Sequence, residues 1–287
     1  MNKVTNERTV FNLQDYGVNR GLSFGHYRYN EVKPGLKAHR HDGALEICFC
    51  MKGQQYYKVG NHLYELNGND IFVVPPDTLH STGNFPEDKG ELFWIQLLMD
   101  ESNGKLCNLP KKQSRILLDS LTGKSEYIFK GAFQLKFTLE KLIFQLKEPS
   151  SPFKEMVINH LIVQLLLEII LLSQKVLPTS SSEKLAILDE YIMKNLHRII
   201  YVDELAILLK MSTGYFKTWF KLKSGMPPKE HINRLRIEQA KVSLLRQNSV
   251  TKVAFDLGFS SSQYFATTFK KFTGHSPKTY ISSAIGR

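Results

Sequence analysis

At 287 residues, with 42% hydrophobic and 23% charged side chains, the chain has enough apolar mass for two domains, since single cores stop growing near this size. Its formal charge of +11 points to a polyanionic partner. Three cysteines exclude a disulfide-stapled scaffold and fit a reducing cytoplasm. The opening residues MNKVTNERTV hold no apolar run of the export type. The most apolar stretch, LIVQLLLEIILL at 161–172, is interrupted by Gln164 and Glu168 and is too short for a span, so no membrane role is expected.

Charge is placed unevenly. From Glu183 onward there are 17 Lys and Arg against 8 Asp and Glu, whereas the first 182 residues hold 21 against 19. The basic excess sits on the last third, as expected of a phosphate-binding module.

Residues 1–100 read as strands: SFGHYRYN, LEICFCMKG, QQYYKVG, HLYELNG, NDIFVVPP and ELFWIQLLM are β-branched and aromatic runs parted by Gly, Asn, Asp and Pro. Strands this short and closely spaced imply a sandwich or jelly-roll barrel, bounded at 1–110. Glu46, Cys48 and Cys50 share one strand face, so if the first points inward all three do. Packing is then the expected role of the two thiols, ahead of redox sensing.

Over 111–176 the period turns helical, with pieces at 112–121, 127–147 and 153–176. The last carries Val157, Leu161, Leu165, Ile169 and Leu172 on one stripe and more apolar residues beside it. Either the barrel or a second subunit must cover it. LPTSSSEK at 177–184 is read as the interdomain linker, leaving a helical domain over 185–287. The fold class is therefore multidomain α+β: an all-β barrel with trailing helices, then an all-α domain.

That last domain contains one pattern written twice. YFKTWFKLKSGMPPKEHI (215–232) and YFATTFKKFTGHSPKTYI (264–281) share 9 of 18 positions at a fixed offset of 49. Phe216 and Phe220, and likewise Phe265, Phe269 and Phe272, repeat at helical spacing, with Gly225 and Gly274 as stops and Pro228 and Pro277 beyond. A short helical pattern precedes each copy, VDELAILL at 202–209 and TKVAFDL at 251–257. Short helix, tight turn, hydroxyl cap and second helix make a helix-turn-helix. Gly258 suits a left-handed turn position, and Lys210 stands at its counterpart. PKEHINRLRIEQAKVSLLRQ, about 228–246, is the helix joining the two units.

The segment from about 184 to 287 resembles the DNA-binding domain of AraC/XylS transcription regulators. Leu205-Ala206, Tyr215-Phe216, Phe220-Lys221 and Gly225 carry the likeness in the first unit, and Arg236, Ala240 and Leu244-Leu245 in the connecting helix. Val253-Ala254, Gly258-Phe259, Tyr264-Phe265, Phe269-Lys270, Gly274, Pro277 and Tyr280 carry it in the second. Nearer the N-terminus, Gly35 leads to His39, His41, Glu46 and Gly53 as H-x-H-x4-E-x6-G, and Gly68 leads to Pro75, Asp77, His80 and Asn84 as G-x6-P-x-D-x2-H-x3-N. These resemble the two motifs of cupins, the small barrels that serve as sensing domains in many AraC-type regulators.

The joint resemblance implies a cytoplasmic, bacterial, effector-responsive transcription regulator rather than an enzyme. Its partners would be double-stranded promoter DNA, a small-molecule effector, RNA polymerase and a second copy through the 111–176 helices. In metal-binding cupins the residues matching His39, His41, Glu46 and His80 hold a divalent ion, a set suited to Fe, Mn, Ni or Zn. Sensor barrels often keep them without metal, so no cofactor is expected and the alternative is a metal-dependent cupin enzyme with a DNA-binding tail. The effector site is expected at His39, His41, Glu46, His80 and Tyr27, with Tyr29, Phe49, Tyr57, Phe72 and Trp94 as further candidates for the lining. Whether the protein is an activator, which effector it takes and which operator it reads are not legible.

A helix entering the major groove needs small polar or cationic residues outward and bulky apolar ones inward. The outward positions are Thr213, Gly214, Lys217, Thr218 and Lys221 in the first unit. In the second they are Ser261, Ser262, Gln263, Ala266, Thr267 and Lys270. Gln263 suits adenine, Lys217 guanine, and Ala266 a thymine methyl. Lys221, Lys270, Lys271 and Arg236 suit phosphate or structural ion-pair work.

Overall fold

A computed structural model describes residues 7–100, 102, 104–123, 127–174, 179–247 and 249–285. Packing divides the chain into two compact units: Met1–Tyr29, Gly35–Phe85 and Gly90–Leu177 form the first. Pro178–Arg287 forms the second, with Asn30–Pro34 and Pro86–Lys89 grouped with it. The division at 177/178 falls inside the expected linker, of which 177 and 178 lie outside the described residues. The rest of that stretch is already helical, because Ser and Thr suit a helix start as well as a loop.

The first unit is an antiparallel sheet of eight strands: β1 Arg8–Asn12, β2 Gly21–Tyr29, β3 Ala44–Val59, β4 His62–Asn67, β5 Asp70–Val74, β6 His80–Ser81, β7 Gly90–Leu98 and β8 Ile128–Lys130. The order is β1-β2-β7-β3-β5-β8, with β4 and β6 also paired to β3. Two stretches expected as separate strands form the single β3. Gly53, at φ 91°, and a register shift between Cys50 and Lys52 bend the strand without ending it. Its first half pairs with β5 and β7, and its second half with β4 and β6.

Strand alternation then builds two cores on opposite faces. Leu45, Ile47, Phe49 and Met51 join Ile71, Val73, Phe93 and Ile95 against the helices. Cys48 and Cys50 point the other way, among Tyr27, Tyr29, Tyr57, Phe72 and Trp94. The Trp94 ring lies flat on Gly25, where a Cβ would meet ring carbons at 2.0 Å. Phe49, expected in the effector lining, belongs to the opposite face because it is one residue out of step with Cys48.

Helices α1 Lys111–Thr122, α2 Leu135–Lys147 and α3 Lys154–Ser173 follow. The helix expected over 127–147 is shorter, since Ile128–Lys130 extends the sheet beside β5 before Gly131 breaks the run. On α3, Leu161, Leu165 and Ile169 are buried under the sheet, with Val157 and Leu172 half-buried at the stripe's ends. The unit's own core therefore covers that stripe. By length and hydropathy α3 qualifies as a membrane span, yet its buried residues belong to this core. Its other flank leaves Met156, Leu167 and Leu171 exposed, as α2 leaves Phe137 and Phe144.

From Pro178 onward the second unit is built of helices: α4 Thr179–Lys194, α5 Val202–Leu208, α6 Thr213–Ser224, α7 Pro228–Arg246, α8 Val250–Asp256, α9 Ser262–Thr273 and α10 Pro277–Ile285. Phe216 and Phe220 of α6 and Phe265, Phe269 and Phe272 of α9 meet Ile232, Ile237, Ala240 and Leu244 of α7 in one core. The repeated glycines end α6 and α9 in left-handed conformation, at φ 71° and 79°. The prolines beyond those glycines begin the next helices. Pro228 opens α7, and Pro277 opens α10, a helix the sequence reading did not anticipate.

Candidate functional site

Two sites stand out, one in each unit. In the first, backbone pairing brings two distant histidines together: His39 N–H donates to the His80 carbonyl at 3.0 Å and His80 N–H to that of His39 at 2.9 Å. Their rings consequently lie 4.3 Å apart, and His41 stands 5.1 and 5.3 Å from them. One nitrogen from each ring falls within 4.8 Å of the others. Glu46, on the inward face of β3, closes the group with its oxygens 3.4 Å from His41 Nε2 and 3.1 Å from His80 Nε2. The latter contact is an ion-pair approach off the line of a hydrogen bond, so His80 Nε2 stays buried without a hydrogen-bond partner.

Burial opposes ionisation of Glu46, but the two histidines outweigh it and hold the carboxyl well below its ordinary range. Burial lowers the pKa of His39. For His80 burial is opposed and outweighed by Glu46, and the net direction is upward. His39 Nδ1 and His80 Nδ1 bond the carbonyls of Lys37 and Thr78 at 2.8 and 2.9 Å, which turns both Nε2 atoms toward the group. Three imidazoles, two of them with carbonyl-fixed tautomers, one carboxylate and one buried Nε2 without a hydrogen bond fit a divalent ion.

Gln96, missed from sequence, completes this site. It faces Glu46 across the β3–β7 register, donating to Glu46 Oε1 at 2.9 Å and approaching His41 Nε2 at 3.0 Å, while Ser23 Oγ donates to its carbonyl at 2.7 Å. Its signal was alternation alone, two residues past the inward Trp94. Tyr27 is not brought to the histidines. It is buried in the aromatic cluster, donating to Gln55 Oε1 at 3.2 Å. Tyr57 bridges the two regions, with its ring stacked on Phe72 at 4.8 Å and 6.5 Å from His80. Cys48 is fully buried, and burial raises its thiol pKa strongly, so the thiol packs rather than reacts.

In the second unit, α6 and α9 are presented alike. Ser212 Oγ accepts from Tyr215 N at 3.3 Å, and Ser261 Oγ from Tyr264 N at 3.1 Å. Lys210 and Gly258 both adopt the left-handed turn, at φ 55° and 67°. Gly214, Lys217, Thr218 and Lys221 are exposed on α6, and Thr213 is half-buried. On α9 Gln263, Thr267 and Lys270 are exposed, whereas Ser261, Ser262 and Ala266 are half-buried. Ser261 is spent as the cap. Arg236, left open between phosphate and structural work, is structural: it is buried and donates to the Arg198 carbonyl at 2.6 Å.

Residues 25–121 match the model of the AraC-like ligand binding domain, and residues 205–283 that of a helix-turn-helix domain. An HTH-type transcriptional regulator of Pseudoalteromonas carrageenovora is 41% identical over 90 residues, covering 31% of this chain and 54% of that protein. The HTH-type transcriptional regulator YfiF of Bacillus subtilis is 26% identical over 264 residues, covering 85% of this chain and 78% of its own length. The chain thus spans about half of the first relative, and only 31% of similar Staphylococcus aureus regulators. Among solved structures, the DNA-binding domain of AdpA in complex with a target DNA is 29% identical, covering 36% of this chain and 95% of that one, with a TM-score of 0.34.

Proposed function

Because the chain belongs to the AraC family of helix-turn-helix transcription regulators, we propose that it reads promoter DNA with α6 and α9 and alters transcription when its barrel binds a small molecule. The observation that carries this reading is the matched pair of serine-capped helices on one connecting helix. Nineteen residues of α7 at 1.5 Å per residue give about 28 Å, near the roughly 34 Å of one turn of B-DNA. One copy could then address two successive major grooves. Gln263, Lys217 and Ala266 would read bases, and Lys221 and Lys270 would meet phosphates.

The effector would sit over the Glu46 group, its polar atoms met by His39, His41, His80 and Gln96 and its apolar part by the Tyr57 side of the barrel. If a divalent ion is bound, His39, His41, Glu46 and His80 would hold it, and it would supply open coordination positions for effector oxygens. The reading places the protein in the cytoplasm, without catalysis of its own and without a resident cofactor, and with RNA polymerase as a partner. Homodimerisation would use the exposed flank of α2 and α3, where Phe137, Phe144, Leu167 and Leu171 face solvent.

A thermal-shift panel of small metabolites, followed by DNA affinity with each hit, tests the proposal. A hit should change affinity for the DNA by the ratio with which it binds the DNA-bound and free protein. Hits that raise the melting temperature yet leave DNA binding untouched would defeat it. The histidine group also supports a second reading, a metal-dependent cupin enzyme carrying a DNA-binding tail. Stoichiometric metal after dialysis together with turnover would favour that reading.

A further inference from the structure

The repeats place a tyrosine at the same point of each reading helix, Tyr215 on α6 and Tyr264 on α9, each the residue whose N–H is held by the serine cap. Their backbones are set alike, but their side chains are not. Tyr264 Oη accepts from Asn233 Nδ2 of α7 at 3.0 Å, and its ring meets Phe259 at 5.8 Å. Phe259 stands in a turn, Leu257–Ser261, one residue longer than the corresponding Leu209–Ser212. Tyr215 is 61% exposed against 38% for Tyr264, and no side-chain hydrogen bond or ring contact engages it among the described residues.

A phenol ring left in water on a reading helix forgoes the burial that aromatic residues ordinarily gain. Tyr215 shares the solvent side of α6 with Thr218, one turn on, while Phe216 and Phe220 face the core. We propose that the two tyrosines divide the work. Tyr215 contacts DNA, donating its hydroxyl to a phosphate oxygen at the groove edge with its ring against the sugar. Tyr264 is a positioning residue, which fixes the angle of α9 on α7 through Asn233. This rests on the helix-turn-helix reading, and it makes the first unit adaptable by side chain and the second rigid by tether.

The test uses the full chain and a duplex of about 30 base pairs recovered by selection from random sequence on the wild-type protein. Tyr215→Phe should weaken binding about tenfold, the loss of one hydrogen bond to a charged acceptor, with melting temperature and salt slope unchanged. Tyr215→Ala should weaken it further. Tyr264→Phe and Asn233→Ala should each lower the melting temperature and thin the footprint of the second half-site, and the double variant should be no worse than either alone. Wild-type affinity in both Tyr215 variants would overturn the contact. Additive losses at Tyr264 and Asn233 would overturn the tether. Failure of the wild-type chain to select any duplex would instead remove the underlying reading.

Discussion

Gln263 and Lys270 lie two turns apart on one face of α9, and both are exposed, yet their side chains do different chemistry. Gln263→Ala should cost about 1–3 kcal/mol at one preferred base and little elsewhere, whereas Lys270→Ala should weaken every sequence and reduce the salt slope by about one. A gel-shift series on one-base operator variants separates the two, and equal loss on all variants by both would contradict the split. In the first unit, Gln96 is a neutral donor to buried Glu46, whose carboxyl the two histidines hold well below its ordinary range. Gln96→Leu should destabilise the chain by about 1–3 kcal/mol in urea unfolding, because a buried acceptor loses its partner without replacement. Unchanged stability would mean that water or the histidines take over. The histidines and Glu46 were legible because they repeat a spaced motif; Gln96 was not, because strand register decides which Gln meets which Glu.

At the scale of elements, the two turns before α6 and α9 are a controlled comparison. Gly258 is left-handed, and a Cβ there would meet the Arg198 carbonyl oxygen at 2.5 Å, so Gly258→Ala should cost about 2–4 kcal/mol. Lys210 holds the same conformation with a side chain, so Lys210→Gly should stabilise by about 0.5–1 kcal/mol. Thermal melts of the two variants moving in the same direction would contradict this. The start of α5 carries a pH dependence: Arg198 beside Glu204, aided by the Tyr201 N–H, pulls that carboxyl from 4.5 to about 2. A depressed carboxylate stabilises above its unfolded value and loses this as pH falls from about 5 toward 2. Glu204→Gln should therefore cost about 1 kcal/mol at pH 7 and nothing near pH 2, a modest figure because the pair is partly exposed. An equal loss at both pH values would point to packing instead. The repeated helices were readable because their phenylalanines and glycines fall at fixed helical intervals. Strand β8 and helix α10 were not. Three residues beside Gly131 look helical until a sheet edge claims them, and a proline after a glycine stop looks like an end until it becomes a first helical residue.

For the whole molecule, composition carried unusual weight: a basic third joined to a near-neutral remainder announced one unit for phosphates and another for something else. The boundary was also legible, although TSSSEK proved to be helix rather than tether, since hydroxyl-rich sequence serves helix starts and loops equally. Burial of the α3 stripe by its own sheet could not be read in advance, because an apolar face specifies that it must be covered and not by what. The central claim is that α6 and α9, held apart by α7, meet one side of a duplex together. Hydroxyl-radical footprinting of the full chain on its selected operator tests it most directly. Two protected patches about ten base pairs apart on one face, both fading as salt rises, are the expected result. A single patch, or protection indifferent to ionic strength, would contradict it.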